Sequence, residues 1–129
     1  MAAAIEYQFI SPEDVGGSSF LHNGSEVRVD PDKGVIVYVE PKASIADVVK
    51  PGAVLFRGRV GYSGSVSGTA YAFKKGCPAA AYTVQGAFSR DNGSFVVRGA
   101  GPVREGCAVK SLSPSSPHAT LTFKSMMSP

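Results

Sequence analysis

The chain has 129 residues, 43% of them hydrophobic and 18% charged, and a formal net charge of +3. That length suits one domain able to bury about two thirds of its unfolded surface, and the composition is that of a folded chain, not a disordered one. No run of about 18 or more apolar residues occurs, which excludes a membrane-spanning helix.

Met1-Ala2-Ala3-Ala4 reads as a start residue joined to the small side chains that flank the cleavage site of a removed signal peptide. The sequence itself holds no signal peptide; the expected location is periplasmic or secreted, and a cytoplasmic protein that begins this way is the alternative. Residues 1–17 carry no sustained hydrophobic period and contain Ser11-Pro12-Glu13-Asp14. They are expected to form an N-terminal arm, extended or with one short helical turn, ahead of a single β domain over residues 18–129.

From Ser18 the pattern is that of strands. Phe20 to His22, Asn23-Gly24, and Glu26 to Val29 predict a hairpin, because Asn-Gly supplies the two positive φ angles that a tight hairpin turn needs. Asp30-Pro31-Asp32-Lys33-Gly34 predicts a second turn. Its Asp-x-Asp-x-Gly spacing is that of the start of a calcium loop, but the third ligand is missing, so a turn closed by an Asx hydrogen bond is the expectation. Val35 to Val39 is apolar on both faces, as a central strand would be.

Pro41 to Pro51 is the one stretch with helical signals, Ser44-Ile45-Ala46-Asp47 having capping-box spacing and Pro51-Gly52 a stop. Strands are then expected over 53–60, 67–74, 81–88, 94–99, 108–112 and 120–124, with Asn92-Gly93 as another hairpin turn. The 15 Gly and 9 Pro punctuate the chain between them. The fold class is all-β, a small antiparallel barrel or sandwich of about eight short strands with at most one short helix.

Cys77 and Cys107 are the chain's 2 cysteines. Each lies beside a glycine at a strand–turn junction, and neither has a CxxC partner, so zinc and thioredoxin-type redox chemistry are not indicated. A Cys77–Cys107 disulfide is the expectation, and two buried thiols are the alternative. A bridge fits an exported protein.

No catalytic constellation emerges. The 2 histidines, His22 and His118, stand in no hydrolase context, and Gly64-Ser65-Val66-Ser67-Gly68 has Val66 where a nucleophile elbow needs its serine. Each histidine is read as structural or exposed. No metal set and no phosphate loop is present, so no cofactor is expected. Asn23-Gly24-Ser25 and Asn92-Gly93-Ser94 satisfy the glycosylation sequon, but turn geometry already explains both Asn-Gly pairs.

Charge is divided along the chain: residues 1–50 hold 8 acidic and 4 basic side chains, residues 51–129 hold 2 acidic and 9 basic. A basic half can draw anionic partners. Tyr71 and Phe73, one strand position apart on the same face and followed by Lys74-Lys75, have the spacing of a nucleic-acid stacking platform. Same-face aromatics on a strand are more often core, and nucleic acid is not the expected partner.

Two resemblances extend this reading. The run Val54-Leu55-Phe56-Arg57-Gly58, Gly68 to Phe73, Gly76-Cys77, Tyr82 to Gly86, Cys107 and Ser116-Pro117-His118-Ala119 resembles a group of small exported alphaproteobacterial proteins, over roughly residues 20–124. That resemblance implies export and a paired disulfide, and no activity. Ser67-Gly68-Thr69-Ala70-Tyr71 with Lys75-Gly76 resembles the Ser-Gly-x-x-Tyr and Lys-Gly elements of bacterial inhibitors of C-type lysozyme. That resemblance implies that Ser67 and Lys75 enter a lysozyme cleft and bond its catalytic carboxylates, with Tyr71 completing the motif. Here the two elements share one strand, and the chain has no Trp.

The functional expectation is a non-enzymatic exported module of the bacterial envelope that binds a protein or another envelope component. A lysozyme or protease inhibitor presenting Ser67 to Gly76 is the first alternative, and a small hydrolase using His22 or His118 the second.

Overall fold

The computed structural model describes residues 8–61, 64–89 and 93–126. The described residues form ten strands: β1 (Ser18–His22), β2 (Ser25–Asp30), β3 (Val35–Glu40), β4 (Val54–Arg59), β5 (Ser65–Ala72), β6 (Ala80–Ser89), β7 (Ser94–Arg98), β8 (Gly101–Glu105), β9 (Ala108–Ser113) and β10 (Thr120–Ser125). Eight of them close a barrel in the order β1-β10-β7-β6-β5-β4-β3-β2, every pair antiparallel. The expected choice between barrel and sandwich is thus settled as a barrel. Strands β1 to β7 pair in succession, β10 closes the barrel between β7 and β1, and the β8–β9 hairpin stands outside as a two-stranded sheet inserted in the chain between β7 and β10.

Local chemistry sets these elements. Asn23 and Gly24 both adopt positive φ, 50° and 89°, the signature of a tight hairpin turn between β1 and β2. The Asx turn also forms: Asp30 Oδ1 accepts the amides of Asp32 at 2.9 Å and Lys33 at 3.1 Å, and Oδ2 accepts that of Gly16 at 2.8 Å. The Asn92-Gly93 expectation lies partly outside the described residues. β8 was not anticipated, because Gly101 and Pro102 at its start read as a strand breaker. The expected helix over 41–51 is instead a single 3-10 turn, Ala43–Ile45, with Lys42 in place of Ser44 at its N-terminus and no capping side chain. The amides of Val48 and Val49 both turn back to the Ile45 carbonyl, which lets Ile45, Val48 and Val49 pack on the core within one tight loop.

β3 is buried on both sides, as its composition requires. Ile36 and Tyr38 face the barrel interior, and Val35 and Val37 face outward under a second cluster with Val15, Val54, Ile10 and Tyr71. The N-terminal segment supplies that cover: Phe9 bridges Ala53, the Ile10 amide donates to Gly52 O at 2.9 Å, and Pro12–Asp14 makes a 3-10 turn. A register shift between Ile36 and Val37 pairs them with Phe56 and Val54, so Leu55 is an extra residue and both Leu55 and Phe56 reach the interior.

The interior is not uniform along its axis. At the end holding the β1 start and the β10 finish it is filled by Phe20, Phe95 and Phe123, with Phe88 against them. Phe95 stacks on Phe123 with centroids 4.6 Å apart and meets Phe20 edge-on at 5.4 Å. Each buried Phe contributes about 1.5–3 kcal/mol through the area it removes from water. At the other end the side chains carry polar tips.

Candidate functional site at the barrel mouth

Strand alternation delivers the site. β1 buries Phe20 and His22 and exposes Leu21, so His22, its last residue, points inward at the open end. β3 brings Tyr38 there, β6 brings Tyr82 between the buried Ala80 and Val84, and β10 brings Leu121. These residues, with Leu55, Val49, Ala72 and Phe73, surround a cavity of about 190 Å³. Lys42, His118, Asn23 and Ser25 are among its further lining residues.

The polar groups are held individually. His22 stacks on Phe123 at 4.7 Å, and its Nδ1 lies 3.0 Å from the Thr122 carbonyl. A carbonyl only accepts, so Nδ1 carries the proton and Nε2 keeps a lone pair. Burial pushes the His22 pKa down, the nearby Lys42 charge adds to that, and the Thr122 carbonyl opposes both without reversing the direction. His22 is therefore neutral at pH 7. The Tyr82 hydroxyl donates to His118 O at 2.6 Å, and burial pushes its pKa up to about 12. The Tyr38 pKa is raised by burial and by Tyr82, and Phe73 meets its ring edge-on at 6.1 Å.

A disulfide anchors the rim. Cys77 and Cys107 are bonded, joining the 73–79 loop to the β8–β9 turn. Arg104 reinforces the joint, its Nη2 donating to Pro78 O at 2.7 Å and Ala72 O at 3.2 Å, and its Nη1 to Cys107 O at 2.9 Å. Lys74 Nζ reaches Gly106 O at 3.1 Å. Between this hairpin and the mouth lies a second cavity of about 300 Å³, lined by Pro102, Val103, Arg104, Pro117, His118, Phe73 and Lys74.

The residues singled out from the sequence fall as follows. Ser67 is exposed within β5 opposite Arg59 and Gln85, about 17 Å of strand before Ala72 ends it. Tyr71 faces the outer cluster beside Val35 and Val37, its hydroxyl accepting from Gln8 Nε2 at 3.1 Å. Lys75 is exposed beyond the strand and pairs with Asp47 at 3.3 Å. Tyr71 and Phe73 do not share a face as expected: β5 ends between them, Phe73 packs on the interior core at the barrel mouth, and Tyr71 packs on the outer cluster while also touching the edge of the mouth cavity.

His22 and His118, which nothing in the sequence links, meet at one cavity. The hydroxyls beside them serve the backbone: Ser25 Oγ accepts the Lys42 amide at 2.9 Å, and Ser116 Oγ donates to Pro102 O and accepts the His118 amide, both at 3.1 Å. Sequence reasoning missed Tyr38, Tyr82 and Lys42. The available signal was position, since Tyr38 and Tyr82 are the large polar-tipped residues near the ends of inward-facing registers.

Among the described residues no group of three or more His, Cys, Asp or Glu side chains is placed to hold a metal ion. No helix among them is long and apolar enough to cross a membrane. The chain matches no protein-family model, no curated protein and no solved structure.

Proposed function

We propose that this protein is a non-enzymatic, exported binding module whose barrel mouth holds one small ligand. The observation that carries the reading is the asymmetry of the barrel: aromatic rings pack one end solid, while the other keeps a cavity of about 190 Å³ with an apolar floor and polar tips. An eight-stranded barrel has an interior just wide enough either to be filled by side chains or to hold one small ligand, and this one does the first at one end and the second at the other. The disulfide supports an oxidising compartment, hence export.

The test is a thermal-shift screen of ring-sized compounds against the wild type and Ala72→Leu, whose longer side chain fills the cavity. Compounds that raise the melting temperature of the wild type and not of the variant support the reading. If no compound acts, or those that act do so equally on both proteins, the mouth is not a ligand site.

A second reading, inhibition of a lysozyme or protease, is favoured by one observation. Lys75 stands exposed on a loop fixed at its far side by the Cys77 bridge, and a fixed loop loses little entropy on docking. It is tested by adding micromolar protein to lysozyme; unchanged turnover discards it for Ser67, Tyr71 and Lys75 in that setting.

A further inference from the structure

We propose that the ligand of the barrel mouth is an uncharged single-ring molecule whose polar group donates a hydrogen bond, a phenol in the simplest case; this rests on the reading of the mouth as a ligand site. Size comes first. A cavity of about 150 Å³ accommodates benzene, so about 190 Å³ admits one ring with a small substituent. Leu55, Leu121, Val49 and Phe73 give that ring an apolar bed.

The polar wall then selects the substituent. Tyr38 and His22 are only 5% and 4% exposed, yet among the described residues no buried side-chain nitrogen or oxygen lacks a partner. Among the described residues neither the Tyr38 hydroxyl nor His22 Nε2 has a hydrogen-bond partner, and both residues line the cavity. Nε2 can only accept while Nδ1–H is held by the Thr122 carbonyl. The Tyr82 hydroxyl has given its proton to His118 O, so it also offers only lone pairs. Of these three buried ring groups, Tyr38 alone has a proton to give. Two acceptors and one hydroxyl are satisfied by a group that donates and accepts at once.

Charge excludes both ions. A carboxylate would meet the lone pairs of Nε2 and Tyr82, and the exposed Lys42 ammonium at the rim is too well solvated to compensate. A cation finds no carboxylate among the described lining residues, and meets instead Lys42 at the rim and Arg104 beside His118. A neutral donor remains.

The experiment compares four probes of one ring size, toluene, phenol, benzoate and benzylamine, by calorimetry at pH 7.5 against the wild type, Tyr38→Phe and Ala72→Leu. Tyr38→Phe removes only a hydroxyl that has no hydrogen-bond partner among the described residues and should melt near the wild type, which separates lost binding from lost folding. Phenol is expected to bind the wild type at least fivefold more tightly than the other three, to lose at least threefold with Tyr38→Phe, and to lose measurable binding with Ala72→Leu. If toluene binds as well as phenol, or Tyr38→Phe changes nothing while Ala72→Leu abolishes binding, the ligand class is wrong and the mouth site stands. If benzoate or benzylamine is preferred, the neutral-donor assignment fails in the same way. If none of the four binds, the phenol assignment is overturned, and the broader screen with Ala72→Leu decides whether the mouth binds anything.

Discussion

His22 and Phe123 stack face to face, their ring centroids 4.7 Å apart and their planes 18° from parallel. The stack continues through Phe95, 4.6 Å beyond Phe123, so one column of rings runs from the packed end of the barrel to its mouth. The imidazole is the last ring of that column and the first polar group the cavity meets. It is at once a core residue and a wall of the site.

That double position predicts a pH effect. The folded pKa of His22 lies below its unfolded value of 6.5, so the unfolded chain binds more protons between the two. Stability is therefore full above about pH 6.5 and declines as the pH falls through the folded pKa. His118, lowered by burial and by Arg104, acts in the same direction. Denaturation midpoints between pH 8 and pH 5 should fall for the wild type and flatten in a His22→Phe, His118→Gln double variant. An unchanged slope would mean that neither imidazole is buried as described.

Asp30 predicts a second acid-sensitive step. Burial opposes its charge, but the amides of Lys33, Gly16 and Asp32 outweigh that and hold its pKa below the ordinary value of 3.8. Its stabilisation is present above about pH 3.8 and lost as pH falls through the folded pKa. Asp30→Ala leaves three amides to find other partners and should cost about 1–3 kcal/mol at pH 7, measured by urea denaturation.

The Cys77–Cys107 bridge closes a sequence separation of 30, for which the chain-entropy estimate is about 3.5 kcal/mol. A Cys77→Ser, Cys107→Ser double variant should lose stability of that order. Alkylating the denatured, unreduced wild type should add no mass. Two added groups, in material never exposed to reductant, would contradict the bridge and remove the argument for export.

Gly58 and Gly68 are register partners on β4 and β5, and a Cβ on Gly68 would lie 2.3 Å from Arg57 O and 3.0 Å from the Phe56 ring. The obstacle at Arg57 is backbone, which cannot swing aside. Gly68→Ala should lower the melting temperature by several degrees through parting of β4 from β5, a cost of about 1–3 kcal/mol. Gly76→Ala is the control for a bare glycine effect: nothing lies within 4 Å, and only its φ of +78° resists.

Much of the fold was legible because it is local. Alternation gave most strands, Asn23-Gly24 its turn, Asp30 its Asx cap, and the apolar run Val35 to Val39 its two-sided burial. What was hidden is either weakly signalled or non-local. β8 begins with Gly101-Pro102, and the 41–51 segment satisfies helical spacing while its packing demands only a 3-10 turn. The mouth depends on barrel closure: His22 bonds Thr122 from 100 positions away, and no periodicity in either segment announces that β1 and β10 are neighbours. Tyr38, Tyr82, Lys42 and the two histidines become a site only when the last pair of strands meets.

The most direct test of the mouth as a binding site is a methyl-region NMR titration with phenol at pH 7.5. Shifts concentrated on Leu55, Leu121, Val49 and Ala72, saturating together, are the predicted result. Shifts confined to the exposed Val109 and Leu112 of β9, with the mouth methyls unmoved, would contradict it.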